Sequence, residues 1–180
     1  DDLNQEQVQA LNLVENTNFS FFLTGRAGTG KTTFLKYIQE NVNKNFVVVA
    51  PTGIAAIIAG GVTIHSFFGM PLDPITQQTE YQINDRKQTL LRHVDTIIVD
   101  EVSMVRCDII DGMDRVLRRV MRNTQPFGGK QMSTLGKRLA EARKSQKMTQ
   151  NFLAERMNVA RTTISNWENG RSQPDLDALR

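Results

Sequence analysis

A glycine-rich stretch with a single lysine stands near the start of the chain. Residues 25–32 read GRAGTGKT and match the pattern G-x-x-x-x-G-K-[ST] at every fixed position. Glycines let a backbone approach phosphate oxygens closely, and backbone N–H groups at a helix start bind anions. In such a loop Lys31 supplies positive charge to the β- and γ-phosphates, and the Thr32 hydroxyl ligates Mg²⁺. The pattern predicts a nucleotide-binding loop made of Gly25, Gly28, Thr29, Gly30, Lys31, Thr32 and Thr33.

Two acidic residues follow an apolar run later in the chain. Residues 96–101 read TIIVDE, so a short strand would deliver both carboxylates at its carboxyl end, where open α/β sheets bind ligands. Asp100 would hold the Mg²⁺ shell, and Glu101 would orient and deprotonate the attacking water. The alternative is a strand followed by an ordinary acidic turn. We therefore take Lys31 and Glu101 as the candidate catalytic residues and Thr32 and Asp100 as the candidate metal ligands.

The elements that must position these residues alternate along the chain. Strands are predicted at residues 19–23, 46–50 and 96–99, and a helix at 33–38 directly after the glycine-rich loop. Alternating strands and helices predict a parallel sheet with helices on both faces, the α/β fold of a P-loop NTPase.

Five segments of the chain contain recognisable sequence motifs. They are LNQEQVQAL (3–11), GRAGTGKTT (25–33), VVVAPTGIAA (47–56), GGVTIHSFFGMP (60–71) and IIVDEVSMV (97–105). In this order they resemble the N-terminal motor domain of Pif-type DNA helicases. These are superfamily-one, RecD-like enzymes that hydrolyse ATP and move 5′ to 3′ along single-stranded DNA. The resemblance covers nearly all of residues 1–131.

The resemblance implies several roles beyond the phosphate site. It implies ATP and Mg²⁺ as cofactors, adenine recognition by Gln7, and work in DNA repair, recombination and telomere maintenance. It also places five residues at single-stranded DNA: Thr52, Gly53, Thr63, His65 and Phe67. The residue types alone support DNA contact less strongly than the resemblance does. An aromatic beside a histidine, such as Phe67, is more often part of a core than a base-stacking platform.

The last part of the chain has a different character. Residues 135–169 show three short helical patterns, and Thr149 is placed as the N-cap of the second. The sequence MTQNFLAERMNVARTTISNWENGRSQPDLDAL resembles the Xre/Cro/CI helix-turn-helix family. The third helix would read duplex DNA, as a monomer or a dimer, with Ile164 and Trp167 in the core. The alternative is a solvated polar face. The candidate DNA-contact residues are Gln150, Arg161, Thr162, Ser165, Asn166 and Asn169.

Charge and composition are consistent with two parts. Residues 1–131 hold 13 Lys/Arg against 14 Asp/Glu, whereas residues 132–180 hold 9 against 5. The basic second part suits a nucleic-acid partner. A single cysteine suits a reducing cytoplasm, where we expect the protein to reside. Residues 45–72 lack charged side chains, but Pro51 and three glycines interrupt them, so we expect no membrane span.

The junction of the two parts lies at Gln131–Met132. In Pif-type helicases FGGKQ leads into another strand and a Gly-Asp…Gln motif, whereas here Met132 follows. We therefore expect an incomplete RecA-like sheet with an open centre in residues 1–131, followed by a small all-α helix-turn-helix domain in residues 132–180 whose last helix is truncated. The expected function is an ATP-binding helicase fragment joined to a sequence-specific DNA-binding module. The alternatives are a DNA-binding regulator with an inactive P-loop segment, or a poorly folded chain.

Overall fold

A computed structural model of the chain describes residues 3–24, 30–136, 143–144, 147–156 and 159–168. The chain divides into two compact units, and the first of them ends at Gly136. Each unit is described by itself below. In the described part of the chain no helix is both long and apolar enough to cross a membrane.

The first unit is built on a five-stranded sheet. Its strands are β1 (Phe21–Thr24), β2 (Phe46–Ala50), β3 (Val62–Thr63), β4 (Thr96–Val99) and β5 (Gln131–Gly136), in the spatial order β1-β5-β4-β2-β3. The pairs β2–β3, β2–β4 and β4–β5 are parallel. This architecture confirms the predicted α/β fold, and the strands predicted at 46–50 and 96–99 have the predicted bounds.

Six helices accompany this sheet among the described residues. They are α1 (Gln5–Asn16), α2 (Lys31–Asn41), α3 (Gly53–Ala59), α4 (Ile64–Phe68), α5 (Asp85–His93) and α6 (Cys107–Met121), with 3₁₀ turns at Val102–Met104 and Pro126–Gly129. Several begin at a side chain that accepts a backbone N–H, as Asn4, Thr52, Thr63 and Asn84 do for α1, α3, α4 and α5. Such N-caps fix where each helix starts.

The sheet separates two hydrophobic cores. One contains α4, α5 and α6, and its largest fully buried side chains include Phe68, Leu91, Met113 and Leu117. The other contains α1 and α2, with Phe34, Leu35 and Ile38 buried. β4 serves both cores, because Ile97 faces the first and Ile98 the second. A central strand buried on both faces accounts for the uninterrupted apolar run of residues 97–99.

The expectation of an open sheet centre is wrong. Residues 131–136 form β5, which lies between β1 and β4 and pairs in register with β4 from Thr96↔Gln131 to Val99↔Thr134. Met132 is buried, and its backbone N–H donates to the Ser20 hydroxyl over 3.0 Å. The strand runs without interruption across the predicted junction at 131–132. The backbone groups of β1 and β4 that face each other need hydrogen-bond partners, and residues 131–136 supply them.

The second unit contains two helices among its described residues, α7 (Gln150–Arg156) and α8 (Arg161–Glu168). The Thr149 hydroxyl accepts the Phe152 N–H over 3.1 Å, which confirms the predicted N-cap. Ala154 and Ile164 are buried, and Ile164 confirms its predicted core position. The side chain of Trp167 lies outside the described part. Two short helices separated by four residues, with α8 beginning directly after Ala160, fit the predicted helix-turn-helix.

Candidate functional site

The end of the glycine-rich loop opens directly into a helix. Gly30 has φ +80° and is the N-cap of α2, so Lys31, Thr32 and Thr33 form the helix's first turn. Gly30 has no side chain, so the N-cap position itself supplies no side-chain acceptor to this turn. Backbone N–H groups that follow a glycine N-cap at a helix start suit an anion. Gly25, Gly28 and Thr29 lie outside the described residues, so the first part of the predicted loop stays a prediction.

Gln7 reaches this loop end from α1. Its side-chain Nε2 donates to the Gly30 carbonyl over 3.2 Å, and its Oε1 accepts the Asn4 N–H over 2.9 Å. Gln7 is only 9% exposed, so the amide is held beside the helix start rather than left in solvent. The structure thus brings Gln7, Gly30 and Lys31 together across a sequence separation of more than twenty residues.

Asp100 stands directly after β4, as predicted. Its backbone N–H donates to the Val49 carbonyl on β2, and its Oδ1 accepts the Glu101 N–H over 2.9 Å. Burial raises the pKa of the Asp100 carboxyl, and the Glu101 charge adds to the rise. The Glu101 N–H and the Lys31 charge act in the opposite direction. The influence of Lys31 on this pKa places the lysine of the loop and the acid of β4 in one electrostatic environment.

Glu101 adopts a backbone conformation that is uncommon for a non-glycine residue. Its φ and ψ are 51° and 41°, in the left-handed region, at the start of the 3₁₀ turn Val102–Met104. Its Oε2 is buried and has no hydrogen-bond partner among the described residues. A strained backbone and an orphaned carboxylate oxygen both cost stability, and they concentrate at functional sites. Both features fit the role predicted for Glu101.

The donor atoms at this site are suitable for a magnesium ion. Mg²⁺ takes oxygen ligands and is commonly held by one or two carboxylates together with substrate phosphates. Asp100 supplies a carboxylate, and the exposed Thr32 supplies a hydroxyl in the first turn of α2. The orphaned oxygen of Glu101 adds an acceptor that a bound water could satisfy. The residues present therefore fit the implied ion.

Three of the residues predicted to contact single-stranded DNA lie at the carboxyl ends of two neighbouring parallel strands: Thr52 and Gly53 follow β2, and Thr63 is the last residue of β3. The hydroxyls of Thr52 and Thr63 act as N-caps and accept the N–H groups of Ala55 and Ser66, each over 3.2 Å. Gly53 is exposed, and a Cβ atom placed there would meet no neighbour within 4 Å. Crowding within the described protein therefore does not explain the glycine, whereas the close approach of a ligand backbone would.

Phe67 does not offer a base-stacking surface. It is 5% exposed, and its ring packs edge-to-face on Phe68 at a centroid distance of 5.1 Å. The structure therefore favours a core role for Phe67, because a buried ring cannot stack on a base without leaving its neighbours. His65 is partly exposed on the same short helix, and its carbonyl accepts the Met70 N–H. DNA contact by His65 stays a prediction.

In the second unit, α8 carries a polar face. Arg161 and Thr162 are exposed, and Ser165 and Asn166 are partly exposed, while Ile164 is fully buried. Gln150 is partly exposed at the first position of α7. The structure thus separates the predicted DNA-facing side chains from the core side chain on the same helix. Asn169 lies outside the described residues.

Two positions that matter to the fold of this site were missed in the sequence. Asn4 closes a capping box with Gln7, since its Oδ1 accepts the Gln7 N–H over 2.8 Å. The signal was present, because Asn followed three residues later by Gln is a recognised helix start. Gln131 joins α1, β4 and the residues before β1 through its side chain. No local pattern could have revealed those contacts, because they link segments far apart in the chain.

The sequence matches two family models. Residues 2–139 match the model described as PIF1-like helicase, and residues 139–180 match the model described as Helix-turn-helix. A similar curated protein is the ATP-dependent DNA helicase PIF1 of Saccharomyces cerevisiae, which is 36% identical over 142 residues. That match covers 74% of this chain and 16% of the yeast protein.

Solved structures are similar to the same part of the chain. The crystal structure of Pif1 helicase from Bacteroides in complex with ADP-AlF3 and ssDNA is 48% identical, with a TM-score of 0.71, and the match covers 76% of this chain and 32% of that one. The Bacteroides sp Pif1 structure in complex with ADP-AlF4 is 47% identical with the same TM-score and the same shares covered. This chain therefore spans about a third of the solved relatives that it matches.

Proposed function

Since the chain belongs to the PIF1-like helicase family through residues 2–139, we propose that its first unit binds Mg-ATP and single-stranded DNA. The second unit, which matches the Helix-turn-helix model, would bind double-stranded DNA, as a monomer or a dimer. The chain is thus a Pif1-type helicase fragment joined to a DNA-binding module. The cytoplasm is the proposed compartment, and DNA repair, recombination and telomere maintenance are the proposed processes.

The observation that carries the nucleotide proposal is the convergence at the carboxyl end of the sheet. Lys31, in the first turn of α2 behind the glycine N-cap Gly30, shares its electrostatic environment with Asp100, whose pKa is raised by burial. Next to Asp100, Glu101 keeps a buried carboxylate oxygen without a partner among the described residues. A purely structural polar cluster would satisfy its own hydrogen-bonding atoms, so the unsatisfied Glu101 oxygen supports a bound ligand. A related Pif1 structure was solved with ADP-AlF4.

Each residue has a distinct proposed part. Lys31 neutralises phosphate oxygens, Thr32 and Asp100 hold Mg²⁺, and Glu101 orients and deprotonates the attacking water. The magnesium ion, when bound, would neutralise charge on the phosphates. The left-handed backbone of Glu101, directly after the Asp100 that follows β4, is the kind of strained conformation that concentrates at functional sites, which supports this part.

The DNA proposals depend on the two units separately. In the first unit Thr52, Gly53, Thr63 and His65 would contact a single strand, and a Bacteroides Pif1 relative was crystallised with ssDNA. In the second unit the exposed face of α8, led by Arg161, would read base edges in the major groove.

Hydrolysis by these 180 residues alone is expected to be slow. In Pif-type motors an arginine finger comes from a second motor domain, and such fingers contribute about 10³–10⁵ in rate where they have been measured. The chain covers 32% of the related Bacteroides structures. We therefore expect the chain by itself to bind Mg-ATP, to turn it over weakly, and to give no strand separation in a displacement assay.

A second candidate function is a DNA-binding regulator whose P-loop unit is catalytically inactive. The observation that favours it is the clean division of α8 into a buried side at Ile164 and an exposed side at Arg161 and Thr162, as duplex binding requires. Phosphate release that rises on addition of single-stranded DNA would favour the motor fragment. Duplex binding without any such release would favour the regulator.

Thermal melting with and without ligand tests the nucleotide proposal. A ligand that binds the native state raises the melting temperature, by an amount that grows with its concentration above Kd. We expect Mg-ATP to raise the melting temperature of the wild-type chain, and EDTA to reduce that shift, because a Mg²⁺ held by Thr32 and Asp100 would neutralise charge on the phosphates.

The matched control compares two lysines on the same helix. Lys36 is exposed on α2, one turn beyond the predicted loop lysine. Lys36→Ala should keep the Mg-ATP shift, whereas Lys31→Ala should lose it. An unchanged melting temperature of the wild type at saturating Mg-ATP would refute the nucleotide-binding site.

A further inference from the structure

The amide of Gln7 has a defined orientation. Its Oε1 lies 2.9 Å from the Asn4 N–H, which can only donate, and its Nε2 lies 3.2 Å from the Gly30 carbonyl, which can only accept. Turning the amide over would place oxygen against oxygen at Gly30 and nitrogen against nitrogen at Asn4. The two neighbours therefore fix which end of the amide is the donor.

These contacts leave part of the amide unused. A glutamine side chain has two N–H donors and two oxygen lone pairs, and the two contacts use one of each. Among the described residues no further partner takes the remaining donor and the remaining acceptor of this buried amide beside the start of α2. Adenine presents an N6 donor next to an N7 acceptor, which such an amide can bind with two hydrogen bonds. Guanine presents two acceptors, O6 and N7, at the same edge, so one of them would face the amide oxygen.

The orientation depends on Asn4 in both directions. The Asn4 side chain accepts the Gln7 backbone N–H over 2.8 Å, and the Asn4 backbone N–H donates to the Gln7 side chain. This reciprocal capping box holds the Asn4 N–H at the point where it receives Oε1. Removal of the Asn4 side chain would free that N–H to move, and the amide would keep only the Gly30 carbonyl to distinguish its two ends.

We propose that Asn4 is a positioning residue for base selection, which acts by orienting the Gln7 amide toward an adenine nucleotide and against a guanine nucleotide. The inference rests on the proposed nucleotide site and on adenine recognition by Gln7. It adds the residue that gives this recognition its direction. Asn4 itself contacts no nucleotide in this scheme.

The experiment measures Mg-ADP and Mg-GDP binding to the full 180-residue chain by isothermal titration. The variants are Asn4→Ala, which removes the cap, Asn4→Asp, which keeps a side-chain acceptor, and Gln7→Glu. Glutamate can still close the capping box but has no N–H donor. Circular dichroism of each variant reports whether α1 stays helical.

The expected result is a change in the ratio of the two affinities. Wild type should prefer Mg-ADP, Asn4→Ala should lower that preference by roughly fivefold, the scale of a lost N-cap, and Asn4→Asp should restore most of it. Gln7→Glu should abolish the preference while α1 stays helical. A merely structural role for Asn4 would weaken both nucleotides equally and leave the ratio unchanged.

The outcomes separate the two proposals. If wild type binds neither nucleotide, the nucleotide site fails and the role of Asn4 fails with it. If wild type binds Mg-ADP and Mg-GDP equally, the site stands and base selection by Gln7 and Asn4 is overturned. If wild type prefers Mg-ADP and Asn4→Ala keeps the same ratio, only the role of Asn4 is overturned.

Discussion

At the amino-terminal ends of β4 and β5 the buried polar side chains are hydrogen-bonded to one another, whereas just after the carboxyl end of β4 a buried oxygen of Glu101 has no partner among the described residues. Gln131 is 1% exposed, and its Oε1 accepts from the Thr96 hydroxyl over 2.7 Å and from the Lys44 ammonium over 3.0 Å. Its Nε2 donates to the carbonyls of Leu13 and Phe19 over 2.8 and 2.7 Å. This cluster, which we call the Gln131 cluster, satisfies its own polar atoms.

The predicted metal ligand Asp100 and the predicted catalytic residue Glu101 follow the opposite, carboxyl end of β4. Burial disfavours charge at both ends, since it lowers the pKa of Lys44 and raises the pKa of Asp100. Lys44 is nevertheless surrounded by protein acceptors, including the carbonyls of Val14 and Thr17. Glu101 has a buried oxygen without a partner among the described residues. The difference teaches that satisfied polar groups hold this end of the sheet together, while the unsatisfied Glu101 oxygen lies beside Asp100, where a ligand would complete the bonding.

The largest expected effect is on ligand binding at the carboxyl end. Lys31→Ala should reduce Mg-ATP binding below detection, because it removes the cation that shares the environment of Asp100 and faces the phosphates. Isothermal titration would measure it, with the exposed Lys36→Ala as the control. Equal affinities for wild type and Lys31→Ala would mean that the unsatisfied Glu101 oxygen does not belong to an ATP-binding site.

The next effect is on stability at the amino end. Gln131→Ala takes an acceptor from Lys44 and Thr96 and a donor from the partly buried carbonyls of Leu13 and Phe19, and the loss of a buried partner costs about 1–3 kcal/mol. We expect the free energy of unfolding to fall by roughly 3–5 kcal/mol in urea titrations. Gln77→Ala, at an exposed loop position, should change it by less than about 0.5 kcal/mol. A Gln131→Ala variant as stable as wild type would contradict the structural role of the Gln131 cluster.

A smaller effect of opposite sign is expected in the middle of β5. The Ser133 hydroxyl is buried without a partner among the described residues, whereas the Ser20 hydroxyl accepts the Met132 N–H. Ser133→Ala should therefore stabilise the chain by about 1 kcal/mol, and Ser20→Ala should destabilise it by a similar amount. Urea titration of both variants tests the contrast, and destabilisation by Ser133→Ala would show that its hydroxyl has a partner.

The smallest effect concerns Asp100 and pH. Because burial raises its pKa in the folded chain, the ionised carboxylate lowers stability at neutral pH, and protonation relieves this as the pH falls through the folded-state pKa. Asp100→Asn should melt slightly above wild type at about pH 7, and the gap should close toward about pH 4, the usual range of an aspartate.

The same Asp100→Asn variant should also lose magnesium-dependent stabilisation by ATP, because it removes the charged ligand. Asp73→Asn, at an exposed loop position, is the control and should melt like wild type at both pH values. A gap between Asp100→Asn and wild type that widens in acid would reverse the sign expected from the raised pKa.

Local sequence patterns determined many of the helices and strands of this protein. The P-loop pattern placed Lys31 at the first turn of a helix, the apolar run ending in Asp100 formed a buried strand, and Thr149 capped the helix that begins at Gln150. These features depend on residues within a few positions of one another, where caps, glycines and apolar periodicity act directly on the backbone. The division of α8 into buried and exposed sides was likewise contained in its own eight residues.

Only the tertiary structure decided the rest. MSTLG after Gln131 has little strand character of its own, yet it fills the centre of the sheet because β1 and β4 offer it backbone partners on both sides. The Gln131 cluster and the burial of Phe67 also arise from contacts between distant segments. Strand pairing joins residues far apart in the chain, so no local pattern carries its outcome, and a segment is a strand when its neighbours supply the hydrogen bonds that it would otherwise lack.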